Sequence, residues 1–219
     1  MGLISPKLDD PDLAYESGVH LGDGSLAGGQ SIDYRYVISG NKKNETKYYK
    51  EVLEPLIEGL YSVTPTIAFQ DNSVYLRIYS KELVLFKNHE LGFPIGPKRE
   101  LRIPTFVTLS RACTANVLSG FYDTDGSVKV RHDRSGEYPR ISLGQKHHEL
   151  IRETKTILGS FGITSTMYRN DYLDPRSGKL ESRWFLDING FQNFDLFVCE
   201  IGTRSPYVRE RMKAVEAIR

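Results

Sequence analysis

A ten-residue motif occurs twice in this chain, and any fold must accommodate the duplication. Glu16-Ser17-Gly18-Val19-His20-Leu21-Gly22-Asp23-Gly24-Ser25 aligns with Leu118-Ser119-Gly120-Phe121-Tyr122-Asp123-Thr124-Asp125-Gly126-Ser127 at a constant offset of 102. Identities fall at Ser17/Ser119, Gly18/Gly120, Asp23/Asp125, Gly24/Gly126 and Ser25/Ser127. The likeness runs on downstream: 37–45 resembles 141–149 at offset 104, and 76–79 and 90–92 resemble 186–189 and 200–202 at offset 110. An offset that only rises is what loop insertions leave in one copy of a duplicated unit.

Both copies read as the same order of elements. In the first, Pro11 behind Asp10 opens a helix that runs to about residue 22. A β-rich stretch covers 32–39 and a helix 44–60. Segments 66–70 and 74–79 alternate around the turn-forming Asp71-Asn72 as a hairpin, and 81–91 has helical spacing. The second copy predicts a helix over 110–124, strands near 128–131 and 140–145, a helix over 149–161, two strands flanking 174–178, and terminal helices. Each is α-β-β-α-β-β-α, so the fold class is α+β. Pro94, Pro97 and Pro104 mark 93–109 as a linker between a first repeat at 1–92 and a second at 110–219.

Composition narrows the function classes. The 219 residues carry 29 Lys+Arg against 28 Asp+Glu, a net of +1, which by itself argues against a polybasic nucleic-acid binder. The balance hides a split: residues 1–110 hold 12 basic and 14 acidic side chains, net −2, and residues 111–219 hold 17 and 14, net +3. No run of apolar residues is long enough to span a membrane and no signal peptide is evident, so an intracellular, cytoplasmic protein is expected. Cys113 and Cys199 form no Cys-x-x-Cys pair, which speaks against structural zinc and predicts two buried, reduced thiols.

The motif helices put small residues on one face near their C-terminal ends, Gly18 and Gly22 in one and Gly120 and Thr124 in the other. Small side chains there let two helix backbones approach closely. An aspartate follows each, at the end where the helix dipole disfavours an acid, so stability does not explain Asp23 or Asp125. If the helices pack side by side, both carboxylates converge and need a cation between them. Two hard oxygen ligands with terminal carbonyls suit Mg²⁺, which binds through one or two carboxylates together with phosphates. That chemistry is metal-assisted phosphodiester hydrolysis. Asp123-x-Asp125-Gly126 is no EF-hand, since Val128 and Arg134 stand where that loop needs glycine and glutamate. His20, His147 and His148 lack a third ligand at a usual spacing.

The two motifs resemble the signatures of single-chain LAGLIDADG homing endonucleases, and the Leu-Gly-Asp-Gly form of the first is similar to archaeal members. The resemblance implies two pseudo-symmetric αββαββα repeats, motif helices packed at their interface, and two antiparallel four-stranded sheets forming a DNA-binding saddle. It implies a monomer that binds double-stranded DNA and cuts a long asymmetric target to leave short 3′ overhangs, with Mg²⁺ as cofactor and Mn²⁺ able to substitute. Carried over, the metal-binding acids are Asp23 and Asp125, with carbonyls from Gly22 and Thr124. Asn41 and Gln145 take the place of the amide that holds the catalytic water. Lys81 fits the basic residue after the fourth strand, and Lys98 is a second candidate; the second repeat has Phe191 and Gln192 there and departs from the pattern. The chain lacks the splicing residues of inteins and is expected to be a free-standing, intron-encoded product. An RNA-splicing maturase acting on intron RNA and a non-cleaving DNA-binding regulator are the alternatives of the same fold.

DNA contact then belongs to the strands. Arg35 and Arg77 lie on strands of the first repeat among Tyr34, Tyr36 and Tyr75. The second offers Lys129, Arg131, Arg134, Arg140 and Lys146 against two acids, Asp133 and Glu137. Arginine suits bidentate guanine readout. Glu45, Glu51, Glu54 and Glu58 are assigned to an outer helix facing solvent.

Overall fold

A computed structural model describes residues 5–29, 32–133, 136–173 and 178–218. The elements run α1 (Pro11–Gly22), β1 (Gly24–Gly29), β2 (Ile32–Asn41), α2 (Lys42–Tyr48), a π-helical turn (Tyr49–Leu53), α3 (Glu54–Tyr61), β3 (Thr66–Gln70), β4 (Ser73–Tyr79) and α4 (Lys81–His89). After a 3-10 turn (Thr105–Leu109) come α5 (Arg111–Asp125), β5 (Gly126–Asp133), β6 (Gly136–Gln145), α6 (His148–Ser160), β7 (Thr166–Leu173), β8 (Leu180–Asn189), α7 (Phe191–Glu200) and α8 (Pro206–Glu216). Two antiparallel four-stranded sheets result, ordered β1-β2-β4-β3 and β5-β6-β8-β7.

Both motif helices begin with a side-chain cap that satisfies orphan N–H groups. Asp10 accepts from the Asp12 N–H at 2.8 Å ahead of Pro11, and Ser110 accepts from the Cys113 N–H at 3.0 Å. The helices then pack directly on each other between the sheets. A Cβ added to Gly18 would strike the Val117 carbonyl, and one on Gly120 would strike the Tyr15 carbonyl, a reciprocal contact that only glycine permits. Residues 13–21 of α1 are buried without interruption, as expected of a helix enclosed on all sides.

Two buried carboxylates brace this centre. Glu16 receives both its oxygens' hydrogen bonds from Lys87 Nζ, at 2.8 and 2.6 Å, and further bonds from Tyr36 at 2.5 Å and Tyr61 at 2.9 Å. This ties α1 to α4 and to the first sheet. Asp123 accepts from Tyr15 of the opposite repeat at 2.5 Å, from Thr203, and from the Arg204 and Ser205 N–H groups at 2.8 and 3.0 Å. Asp123 thus points away from Asp125 and holds the α7–α8 junction against both motif helices. Burial raises its pKa despite these donors.

Several expectations shift by a few residues. β1 is a separate strand over a stretch, Gly-Ser-Leu-Ala-Gly-Gly, whose one large apolar residue is Leu26. The helix expected over 44–60 starts at Lys42 and carries a π turn ahead of Pro55, whose ring nitrogen has no N–H to return to the preceding turn. Residues 93–104 pack rather than hang free: Phe93 and Leu101 are buried, and the Gly96 N–H donates to the Leu26 carbonyl at 2.8 Å. Cys113 is buried but Cys199 is exposed, because α7 turns Phe194 and Phe197 inward and Cys199 falls on the other side. Among the described residues no helix is long and apolar enough to cross a membrane.

Replacing Gly120 by Val should cost at least the ~1–3 kcal/mol typical of overpacking, and calorimetric melting should register roughly 2–4 °C lost for each kcal/mol. Val at the solvent-side Gly59, where a Cβ meets nothing, is the control. His20 supplies a second expectation. Its ring is fully buried between Phe93 and Tyr36, at centroid distances of 3.9 and 5.1 Å, and neither ring nitrogen has a hydrogen-bond partner among the described residues. Burial, then Lys87 and Lys98, hold its pKa well below the ordinary value. A depressed folded pKa means that stability is full above the unfolded value of about 6.5 and falls below it by up to about 1.4 kcal/mol per pH unit. Denaturant titrations between pH 7 and 5 should show that fall in the wild type and lose it in His20→Phe.

Candidate metal and DNA site

The ends of α1 and α5 meet where the two sheets converge. Asp23 caps α1, its N–H bonded to the Val19 carbonyl at 3.0 Å, and Asp125 is the last residue of α5. Gly22 makes the room: an added Cβ would strike Thr124 Oγ1 and stand 3.1 Å from Asp125 Oδ2. Thr124 holds that hydroxyl in place by donating it to the Gly120 and Phe121 carbonyls, at 3.2 and 3.0 Å.

The electrostatics are those of an unneutralised acid pair. Burial, then Asp125 and Glu45, push the Asp23 pKa well above the usual carboxylate range, with Lys98 acting in the opposite sense. Burial also raises Asp125, against the pull of the Gln145 hydrogen bond, Lys98 and Arg183. Lys98 reaches in from the segment between the repeats and donates to the last carbonyls of α1, His20 at 2.9 Å, Leu21 at 3.1 Å and Gly22 at 3.0 Å. It meets the negative end of the helix dipole with a cation. Burial lowers its pKa to about 8, the two aspartates pulling upward.

Sequence-derived candidates separate at this point. Gln145, at the end of β6, donates to Asp125 Oδ2 at 2.5 Å, so it and Lys98 stand at the pair. Asn41 sits at the matching end of β2, but its amide oxygen accepts from the Lys43 and Asn44 N–H groups at 3.0 and 3.2 Å and caps α2 instead. Lys81 begins α4 at the far end of β4, which pairs Tyr79 with Arg35 and only at its other end Ser73 with Asn41; its amine lies 5.5 Å over the Tyr34 ring. The structure therefore withdraws Lys81 from the Asp23 site, because the strand runs away from it. Gly22 shares its carbonyl with Lys98. Glu45 corrects the outer-helix reading: its carboxylate turns inward to the Asn41 N–H at 2.6 Å. Arg183, near enough to Asp125 to lower its pKa, was missed because only the register that sets Gln145 opposite Trp184 reveals it.

Each sheet carries cationic side chains toward solvent. On the first, Arg35, Ser39, Tyr75, Arg77 and Tyr79 line a shallow concavity of about 340 Å³, and Arg77 stacks over Tyr75 at 4.8 Å. On the second, exposed Lys129 and Arg131 occupy alternate positions of β5. Arg140 is already engaged, 3.1 Å from Asp187 Oδ2 and 2.9 Å from Asn189 Oδ1. Lys146 is exposed just past β6, and Arg134 lies outside the described residues.

The donor set fits a hard divalent cation. The acids offer carboxylate oxygens, with nitrogen at the pair coming only from cations and an amide, namely Lys98, Arg183 and Gln145 among the described residues, and carboxylate oxygens suit Mg²⁺ or Mn²⁺ rather than thiolate- or imidazole-seeking metals. Among the described residues no three His, Cys, Asp or Glu side chains close into a complete cage.

Comparison with known proteins bears on the fold. Residues 112–202 match the model of a LAGLIDADG-like domain. The chain is 26% identical over 174 residues to ribonucleoside-diphosphate reductase NrdEB subunit alpha of Bacillus subtilis (strain 168), covering 75% of this chain and 16% of that protein. It is 26% identical over 203 residues to tRNA-splicing ligase RtcB of Methanocaldococcus jannaschii, covering 80% of this chain and 21% of that one. The chain thus spans a small part of these relatives. In structure it resembles I-DmoI in complex with DNA and Mn, with a TM-score of 0.60, 20% identity, and coverage of 90% of this chain and 98% of that one. It also resembles the LAGLIDADG homing endonuclease I-GzeII in complex with its DNA target, with a TM-score of 0.57, 11% identity, and coverage of 95% and 91%. The chain has the two-repeat fold of these homing endonucleases, and its second repeat carries a LAGLIDADG-like domain.

Proposed function

We propose that the protein is a site-specific DNA endonuclease that makes a double-strand break by divalent-metal-dependent phosphodiester hydrolysis. The carrying observation is the convergence of Asp23 and Asp125 at the helix ends, beside two sheet faces bearing arginine and lysine. Asp23, Asp125 and the terminal carbonyls of Gly22 and Thr124 are the groups that would hold the cation. A bound divalent cation supplies Lewis-acid stabilisation of the departing oxygen and a more acidic water. Gln145 orients Asp125, while Lys98 fixes the end of α1 and partly offsets the acids. Arg35, Arg77, Lys129 and Arg131 take phosphates and base edges, positioning the backbone over the pair.

The likeness to homing endonucleases extends this proposal to a long asymmetric target and short 3′ overhangs. The role in homing is supported by the relatives: a reductase subunit and an RNA ligase share no chemistry, yet each matches this chain over a small part of its length. That is the distribution of an element carried inside unrelated genes. We extend the family likeness to monomeric action, since both repeats are present in one chain.

Incubation with a randomised duplex library and Mg²⁺ should yield one cleaved sequence family. Asp23→Asn and Asp125→Asn should each lose more than the ~100-fold typical of changes one layer out from a metal, while gel shifts show that both still bind. Uncut DNA under every condition with the wild type, together with metal-independent binding, would establish the regulator instead.

Metal affinity should also depend on pH. Both carboxyls must lose their protons to bind a cation, and their raised pKa values extend that competition above the usual aspartate range. Mn²⁺ titration calorimetry should therefore show affinity rising from pH 5 to pH 8 with protons released. A pH-independent affinity would count against the pair as ligands.

A further inference from the structure

Resting on the endonuclease reading, we infer that Glu45 and Tyr49 form a water-holding pair in the first half-site, in the place that Gln145 takes beside Asp125 in the second, so that the two strands are cut by unlike machinery. The repeats suggest equivalence, but the side chains depart from it. In the second repeat Gln145 donates to Asp125 directly. In the first, Asn41 is committed to capping α2, and no amide reaches Asp23 from that position. Glu45 and Tyr49 stand in its place.

Their meeting point is Gly40, the penultimate residue of β2. A Cβ there would collide with Glu45 Oε2 and lie 2.8 Å from Tyr49 Oη, so glycine is what lets both groups reach over the strand end. The Tyr49 side chain is only 1% exposed and its hydroxyl has no hydrogen-bond partner among the described residues. Buried hydroxyls are ordinarily paired, and a polar recess with two or more partners is where an ordered water sits. Glu45 offers an acceptor and Tyr49 a donor. Asp23 feels the charge of Glu45 and Tyr49 feels that of Asp23, while Glu45 itself also feels Asp125, so the two side chains stand beside the acid pair. A water held between Glu45 and Tyr49 therefore stands beside the first acid.

The second repeat does not reproduce the device. Glu149, which aligns with Glu45 at offset 104, is bonded to Arg152 at 2.6 and 2.9 Å instead of to the end of its strand. Glu153 takes the place of Tyr49 and pairs with Arg102 at 2.7 Å. Glu45 and Tyr49 act through the water rather than on the scissile phosphate, and are positioning residues.

The test compares Glu45→Gln, Tyr49→Phe and Gln145→Ala, each checked for wild-type melting. Strand-labelled duplex carrying the sequence recovered from the randomised library is cut with Mg²⁺, and Mn²⁺ binding is followed by titration without DNA. Glu45→Gln and Tyr49→Phe should slow one strand by ~10–100-fold, with nicked DNA accumulating. Gln145→Ala should slow the other strand. Mn²⁺ affinity should fall in Glu45→Gln. Equal slowing of both strands by either variant, or unchanged rates with unchanged Mn²⁺ affinity, overturns the pair. Should Glu45→Gln fold poorly, Tyr49→Phe decides. If the wild type cuts nothing, the nuclease reading fails by itself, and the Mn²⁺ titrations still decide whether Glu45 supports the site.

Discussion

The two motif helices touch backbone to backbone, Gly18 against the Val117 carbonyl and Gly120 against the Tyr15 carbonyl. Everything else takes its position from that contact. Helices separated by side chains normally lie 8–10 Å apart; with glycine at the crossing they come closer, and their C-terminal ends close together too. Asp23 and Asp125 therefore share a site without any loop to bring them there. The same geometry sets the sheets, since β1 leaves α1 after one residue and β5 leaves α5 directly. A displacement at the crossing reaches the acids and the strand faces together.

Burying two helices this completely creates a second demand. Polar groups on them have no water, and charges taken out of water need partners with good geometry. Glu16 finds Lys87, Tyr36 and Tyr61, while Asp123 finds Tyr15, Thr203 and two backbone amides. These networks lie on different repeats and point away from the acid pair. The centre thus holds four carboxylates in two classes. Two are saturated with donors and fix the helices. Two are under-supplied, and that deficit marks them for a cation.

Much of this was legible in the sequence because it repeats. A glycine or an aspartate alone is ambiguous, but Gly18/Gly120 and Asp23/Asp125 at one offset in an apolar context define a paired interface with an acid at each end. The helix start at Asp10-Pro11 was likewise readable, being local chemistry, whereas Ser110 was read as part of its helix and is the cap in front of it. β1 was not, since five of its six residues are small and carry no alternation. Nor were Glu45 and Arg183: the i, i+4 step from Asn41 to Glu45 reads equally as a solvent-facing helical turn, and Arg183 acquires meaning only from strand register. Lys98 showed the reverse. Its place in a proline-rich segment suggested a tether, yet the packing of Phe93 and Leu101 makes that segment rigid enough to deliver an amine to three carbonyls.

Charge was the feature least informative as a sum. A net of +1 is spread so that Glu51, Glu54 and Glu58 lie on the helical side of the first repeat, while Arg35, Arg77, Lys129 and Arg131 lie on sheet faces. Nonspecific affinity scales with the phosphates neutralised, so a near-neutral chain holds random DNA weakly at physiological salt. Site discrimination depends instead on which side chains meet base edges. Arg140 shows how the surface serves that end: locked against Asp187 and Asn189, with Ser142 bonded to the same aspartate at 2.6 Å, it keeps one orientation and little free charge. On the proposed site-specific reading, holding arginines in place matters, since a fixed guanidinium adds less to general attraction and more to the distinction between one base pair and the next.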